Sequence, residues 1–228
     1  MRPIFSERAL ALLICLSATP VNSAPQSKFL LSSPDSQLAA KVPEIYTANA
    51  FGCTRGNASP PLQWIGAPAG TKNFVVTLFD SDDHNTPSGW WHWVEYDLPA
   101  TTNKLPKGAG VEHSSVLPAG TKQGRTDLGN DAYHGPGPEK GDPPHRYTFT
   151  IYALNVEKLD VPPSSSGAMV VETLKEHVVG KAVFIAHYAL RSWRGFGTAE
   201  GRSADDLSKR PSYVNGDGGS TTQRTCHQ

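Results

Sequence analysis

The stretch FVVTLF at residues 74–79 decides the fold class. Aromatic, β-branched and leucine side chains run through it almost without a polar break, which is typical of a β-strand buried on both faces. The stretches at 91–97 and 146–154 have similar β chemistry, and residues 62–65 and 181–190 are two more strand candidates. The sequence therefore predicts a mainly β fold.

The rest of the chain contains little predicted helix. Residues 166–179 are the one good helix candidate, with Ser166 as its N-cap. Residues 42–50 are predicted to hold a short strand, and residues 24–36 are predicted to form a polar loop. Residues 99–144 are rich in glycine and proline, and a long irregular stretch inside a compact domain is usually functional.

The composition argues against several classes of protein. The chain has 228 residues, with 21 Lys+Arg and 21 Asp+Glu, so its formal net charge is zero. This balance argues against a protein that holds nucleic acid or a membrane surface by bulk electrostatics. No run of about 18 apolar residues occurs, so the sequence predicts no transmembrane segment. The 21 Gly and 19 Pro predict many turns.

The first residues have the pattern of a targeting segment. Arg2 and Arg8 flank the start, an apolar run follows at 9–16, and small and turn-forming residues lead to Ser23. This order is typical of a secretory signal peptide, here cleaved after Ser23. We therefore expect a secreted or periplasmic protein. The predicted organisation is a signal peptide at 1–23, one domain at 24–195 and a polar, disordered tail at 196–228.

Cysteine usage fits export but leaves the pairing open. Cys15 lies in the predicted signal peptide, so Cys53 and Cys226 remain in the mature chain. Two cysteines in an oxidising compartment can form a disulfide, and this one would join the tail to the early part of the domain. The alternative is two unrelated thiols.

Side chains that can bind an anion cluster around the predicted strands. Asp80 directly follows the strand quoted above, and His92 lies in the next strand. His145 and Tyr147 share one face of a third strand. Imidazole and phenol groups donate hydrogen bonds to anions, and a carboxylate can orient an imidazole or hold it protonated. Together these residues suit a small phosphate-bearing ligand.

Each of these residues also has a simpler interpretation. An aspartate-rich stretch after a strand is most often a turn, and a histidine among tryptophans is usually packed in a core. Asp80, Asp82, His92 and His145 are of types that bind Zn²⁺, but the sequence fixes no ligand geometry, so no metal and no cofactor is predicted. The sequence has no G-x-S-x-G, H-E-x-x-H or Walker motif, and we predict no enzymatic activity.

Six blocks of sequence, in order, resemble the phosphatidylethanolamine-binding protein family in its bacterial, Raf-kinase-inhibitor-like branch. Two of the blocks read GNASPPLQW and GWWHWV, and the last ends in HRY. The blocks lie at 56–64, 67–74, 80–82, 89–94, 124–129 and 133–147. Because they occur together across residues 37–190, the resemblance is more specific than any single block.

The resemblance implies a β-sandwich with a large central sheet, a smaller sheet and a few short helices. It also implies a small anion pocket at one end of the large sheet that takes phosphate-bearing head groups. The family consists of binding and regulatory proteins rather than established enzymes. By motif match, the pocket residues are Asp80, Trp90, His92, Tyr133, Gly137, Pro138, His145 and Tyr147.

The chain departs from the family pattern near the implied pocket. Where the family has Asp-Pro-Asp-Ala-Pro, this chain has DSDDH at 80–84, and Asp83 adds a negative charge there. Glu139 stands where a second proline is usual. Two other functions stay open: a protein-interaction module that inhibits a protease or signalling enzyme, and an Asp/His-dependent hydrolase.

Overall fold

Two antiparallel β-sheets and a few short helices make up the part of the chain that the computed structural model describes, residues 28–49, 55–84 and 86–190. The strands in these residues are β1 (Leu30–Ser32), β2 (Leu62–Ile65), β3 (Asn73–Asp80), β4 (Trp90–Pro99), β5 (Lys104–Leu105), β6 (Lys122–Gln123), β7 (His145–Leu154) and β8 (Val178–Tyr188). The helices are α1 (Gln37–Ala40) and α2 (Gly167–Leu174), with 3-10 turns at Glu44–Tyr46 and Lys175–His177.

The larger sheet has the order β6-β4-β3-β7-β8, and the smaller sheet has the order β1-β2-β5. Every strand pair in both sheets is antiparallel. The predicted mainly β sandwich, with a large central sheet, a smaller sheet and short helices, is therefore confirmed.

The central strand β3 is apolar throughout because hydrophobic residues cover both of its faces. Val76 and Leu78 pack in the main core between the sheets, together with Trp64. Val75 points to the other face, where a second core contains Val170 of α2. Burial on both faces explains why the sequence shows a continuous apolar run at this strand rather than alternation.

Two short elements near the start differ from the sequence prediction. The strand predicted at 42–50 is wrong for residues 42–49, which hold the 3-10 turn at Glu44–Tyr46. Local hydrogen bonds close this turn, because the backbone and the hydroxyl of Thr47 both donate to the Glu44 carbonyl. The polar loop predicted at 24–36 contains β1, which pairs with β2.

The predicted helix at 166–179 is shorter in the structure. α2 ends at Leu174, and a 3-10 turn leads directly into β8. The chain leaves the helix early because Val178 pairs with Leu154 in the large sheet. After Pro99, which ends β4, the predicted irregular stretch at 99–144 contains only the short strands β5 and β6.

Removing the N-cap of α2 is expected to lower the free energy of unfolding by about 1 kcal/mol. The Ser166 hydroxyl accepts a hydrogen bond from the Met169 N–H at 3.3 Å, as the sequence predicted. Ser166→Ala removes this acceptor. Urea unfolding of Ser166→Ala, compared with Ser88→Ala in an exposed turn, measures the effect. Equal midpoints for the two variants would contradict this capping role.

Three sequence predictions lie outside the described residues. They are the signal peptide at 1–23, the tail at 196–228 and the pairing of Cys53 with Cys226. In the described ranges, none of the helices has the length and apolar character needed to cross a membrane.

Candidate functional site

Three neighbouring strands bring the predicted polar residues to one end of the large sheet. β3 ends at Asp80, whereas its antiparallel neighbours β4 and β7 begin at that same end. In the register, Asp80 lies opposite Trp90 on one side and Tyr147 on the other. His145 is the first residue of β7 and therefore also lies at this end.

The centre of the site is the buried Asp80 carboxylate between two buried imidazoles. Asp80 Oδ2 lies 2.8 Å from His145 Nδ1 and 4.0 Å from His92 Nε2. Asp80 Oδ1 accepts the backbone N–H of Asp82 at 2.9 Å. Asp80, His92 and His145 are each no more than 3% exposed, so these charges act on one another largely without screening by water.

The hydrogen-bond partners assign the tautomers of the two rings. His92 Nδ1 lies 2.8 Å from the His134 carbonyl oxygen, which can only accept, so this nitrogen carries a proton. Likewise, His145 Nδ1 donates to the Asp80 carboxylate. Each ring therefore gains a charged donor at Nε2 when it takes up a second proton.

The local electrostatics favour a carboxylate–imidazolium pair. Burial opposes ionisation of Asp80, but the hydrogen bond from His145 and the charges of His92 and His145 outweigh it and lower the pKa of Asp80. Burial would also lower the pKa of His145. The hydrogen bond and charge of Asp80, with the charges of Asp142 and Asp82, instead raise the pKa of His145 above its usual 6.5.

An exposed ion pair borders the site. Asp82 accepts two hydrogen bonds from the Arg146 guanidinium, at 2.6 and 2.9 Å, and a third from its backbone N–H at 2.8 Å. The Arg146 hydrogen bonds lower the pKa of Asp82 to about 2. Asp83 is buried. Burial of Asp127, with a smaller contribution from the charge of Asp83, raises the pKa of Asp127. Asp82 and Asp83 of the acidic turn therefore interact with different neighbours, Arg146 and Asp127.

An irregularity in β4 turns His92 toward the site. The register between β3 and β4 shifts between Leu78/Trp93 and Phe79/Trp91. Trp93 packs in the main core, whereas Trp91 packs against the second core. The extra residue of such a bulge is His92, which lies edge-on to the buried Tyr147 ring at 5.4 Å.

The loop that contains Tyr133, Gly137 and Pro138 contacts the imidazole of His92 through His134. The His134 N–H donates to the His92 carbonyl at 2.8 Å, and the two histidine rings stack at 5.5 Å. The Tyr133 side chain points into the core, where its hydroxyl donates to the Tyr46 carbonyl at 2.7 Å. Pro138 is buried and Gly137 half-buried in the same loop.

Comparison with known proteins identifies the family. The model of the phosphatidylethanolamine-binding protein family matches residues 32–189. This chain belongs to that family. The resemblance found in the sequence is therefore confirmed.

Several bacterial relatives match the same region. YbcL of Escherichia coli is 40% identical over 169 residues, which cover 74% of this chain and 92% of YbcL. YbhB of the same organism is 43% identical over 159 residues, which cover 70% of this chain and 99% of YbhB. LppC of Mycobacterium tuberculosis, whose name makes it a candidate lipoprotein, is 28% identical over 139 residues, covering 60% of this chain and 63% of LppC.

The fold agrees with a solved structure of the family. The crystal structure of E. coli YbcL, titled a new member of the mammalian PEBP family, matches with a TM-score of 0.69 and 39% identity. The match covers 72% of this chain and 100% of that chain.

Two residues that support the candidate site were not singled out as site residues from the sequence. Asn57 joins two segments, because its Oδ1 accepts the Gly135 N–H at 2.8 Å and its Nδ2 donates to the Tyr133 carbonyl at 3.3 Å. Its φ of 45° is left-handed, a conformation that asparagine tolerates better than most residues. His134 fixes the tautomer of His92. The signal for Asn57 was its place in the block at 56–64.

A third residue was missed altogether. Asp142 Oδ2 lies 3.4 Å from His145 Nε2, on the side of the ring opposite Asp80. Both nitrogens of His145 therefore face carboxylates. Nothing in the periodicity of the sequence relates Asp142 to this ring, because it belongs to the irregular loop before β7.

The described parts of the chain hold no cluster of metal-ligating side chains, at this site or elsewhere. Within residues 28–49, 55–84 and 86–190, no group of three or more His, Cys, Asp and Glu side chains could hold a metal ion. A surface cavity of 590 Å³ is lined by residues that include Gln123, Arg125 and Asp131. Neither His92 nor His145 lines this cavity.

Proposed function

We propose that this protein binds small phosphate-bearing anions, such as a phospholipid head group, in the pocket of Asp80, His92, His145 and Tyr147. The observation that supports this most strongly is the Asp80 carboxylate at 2.8 Å from His145 and 4.0 Å from His92. Asp80 favours the protonated form of His145, and that form presents Nε2–H as a charged donor. In anion recognition, charge-assisted hydrogen bonds of this kind are stronger than hydrogen bonds between neutral groups.

The residues that pack against His92 support the same proposal. The Tyr147 ring lies against His92 at 5.4 Å, so its hydroxyl is a further candidate donor. Gly137 and Pro138, taken as pocket residues from the family resemblance, follow His134 in the loop that holds His92. The family is named for binding phosphatidylethanolamine, and this chemistry agrees with a phosphate ligand.

We also propose that the protein is exported. The first 23 residues have the order of a secretory signal peptide, with basic, apolar and small residues in turn. LppC, the mycobacterial relative named as a candidate lipoprotein, agrees with a place outside the cytoplasm for members of this family.

The test is a calorimetric titration of the full-length protein with glycerophosphoethanolamine, whose phosphodiester keeps one charge between about pH 5 and pH 8. Because the pKa of His145 is raised, its Nε2–H donor is present below that pKa and is lost as the pH rises through it. Binding should therefore weaken as the pH rises. His145→Ala should weaken binding at low pH by about 10-fold or more, the worth of one charge-assisted hydrogen bond.

The control variant is His113→Ala, because the His113 side chain is 93% exposed and faces solvent. It should bind like the unaltered protein. Equal binding by a folded His145→Ala variant would contradict the proposal, and so would an absence of saturable binding at every pH. Phosphorus NMR of the same mixtures tests the hydrolase alternative, since a hydrolase would convert the phosphodiester signal into a monoester signal.

A further inference from the structure

The turn before β7 places a second carboxylate on His145. The backbone N–H of Asp142 donates to the Glu139 carbonyl at 3.2 Å, and Asp142 Oδ2 accepts the Glu139 N–H, also at 3.2 Å. That same Oδ2 lies 3.4 Å from His145 Nε2. The side chain of Asp142 is 27% exposed, so it lies at the border between the buried pocket and solvent.

The position of Asp142 conflicts with binding of a simple anion. His145 Nε2 is the donor that a phosphate oxygen would need, and the Asp142 carboxylate already faces it. A phosphate group must displace this carboxylate and then remain close to its negative charge. Of the other acidic neighbours, Asp80 is negative as well, whereas the charge of Asp82 is balanced by Arg146.

A ligand with both signs of charge removes the conflict. When its phosphate takes the place of Asp142 at His145, an ammonium group a few bonds away can bind the displaced carboxylate. The negative charge that repels an anion then attracts the cationic part of the ligand.

We propose that Asp142 selects the ligand at this site: its carboxylate holds the His145 Nε2 position against simple anions and yields it to ligands that carry an ammonium group beside the phosphate. This inference rests on the proposed function, since it assumes that phosphate binds at His145. Asp142 is in this sense a specificity-determining residue of the pocket.

The experiment uses two phosphodiesters that differ only in the presence of the ammonium group. Glycerophosphoethanolamine has it, and glycerophosphoglycerol has a neutral hydroxyl-bearing group instead. Both are titrated at neutral pH into the full-length protein and into Asp142→Asn, which keeps the side-chain shape and an oxygen for the Glu139 N–H. The matched control is Asp160→Asn, because Asp160 is exposed. It lies at the opposite end of the large sheet, where the neighbouring Leu159 N–H donates to Asp97.

The unaltered protein should prefer glycerophosphoethanolamine. Asp142→Asn should bind glycerophosphoglycerol about 10-fold more tightly, because a like charge at the donor is gone. It should bind glycerophosphoethanolamine no more tightly than before, so the selectivity falls about 10-fold. Asp160→Asn should leave both affinities unchanged.

The outcomes separate this inference from the proposed function. If Asp142→Asn changes the affinities for the two ligands equally, or changes neither, Asp142 does not select the ligand. Anion binding itself is not contradicted by that result. Binding of neither ligand by either protein overturns both proposals. A gain of glycerophosphoglycerol binding by Asp142→Asn alone supports Asp142 as the excluding group. NMR titration of His145 supplies a ligand-independent check, since losing the Asp142 charge should lower the pKa of His145, and an unchanged pKa would contradict the contact.

Discussion

Replacing Glu95 by glutamine is expected to raise the free energy of unfolding by about 3 kcal/mol near pH 8 and to lower it by about 1 kcal/mol near pH 4.5. Glu95 lies in β4 opposite Val76 of β3 and Gln123 of β6, and it is completely buried. Its carboxyl makes no hydrogen bond of ordinary geometry with any residue in the described part of the chain. The proposed function does not use it.

The reason is the proton that the folded protein keeps on Glu95. Burial raises the pKa of Glu95 from 4.5 to about 8, and the indole N–H of Trp93 offsets this only in part. Between these two values the unfolded chain releases the proton and the folded chain holds it. Stability therefore falls as the pH rises from 4.5 to 8, by at most about 1.4 kcal/mol for each pH unit.

Glutamine removes the titration but leaves a buried polar group. The loss of stability between pH 4.5 and pH 8 that glutamine avoids amounts to about 5 kcal/mol. A buried amide without full hydrogen bonding costs about 1–2 kcal/mol, so the gain near pH 8 is about 3 kcal/mol. Urea unfolding of Glu95→Gln and of the unaltered protein, at several pH values across this window, measures the difference. Glu176→Gln, on the surface after α2, is the control. Parallel pH profiles for Glu95→Gln and the unaltered protein would contradict the prediction.

The pattern of the sequence locates the central strands well and the short elements poorly. β3 is recognisable because both of its faces are buried, so local composition and tertiary environment agree. β1 has three residues, too few for any periodicity. The conformation of the segment predicted as a strand at 42–50 depends on residues outside it. The Tyr46 hydroxyl donates to Asp35, and the Thr47 carbonyl accepts the Asn57 N–H.

The candidate site was predictable where strands carry it and unpredictable where loops do. Asp80, His92 and His145 come together because antiparallel neighbours begin and end at the same edge, which strand positions alone reveal. A regular strand would place Trp91 and Trp93 on one face, and only the irregularity at His92 separates them. Asp142 reaches His145 through a loop, whose path no local pattern determines.

Replacing Gly135 by alanine is expected to lower the free energy of unfolding by about 3 kcal/mol and to weaken phosphodiester binding by about 10-fold or more. An alanine Cβ at this position would lie 2.3 Å from the Tyr46 carbonyl oxygen, 2.6 Å from the Thr47 carbonyl carbon and 2.8 Å from the Ala48 nitrogen. These are all backbone atoms, so no side-chain rotation relieves the overlap.

Neither backbone segment can move away without breaking hydrogen bonds. The Ala48 N–H donates to the Pro136 carbonyl at 2.9 Å, and the Gly135 N–H donates to Asn57 at 2.8 Å. A shift of this loop also moves His134, whose carbonyl holds the tautomer of His92. The stability loss and the binding loss therefore have one cause.

Gly137→Ala provides the matched comparison in the same loop. There the added Cβ would meet only the Ala48 side chain, at 3.0 Å, and a small displacement relieves that contact. We expect a stability change within about 1 kcal/mol for this variant. Urea unfolding and titration of both variants with glycerophosphoethanolamine distinguish the two cases. The contradicting result is a Gly135→Ala variant that is as stable as Gly137→Ala and binds the ligand normally. The close approach of residues 46–48 to this loop would then have no role in positioning His92.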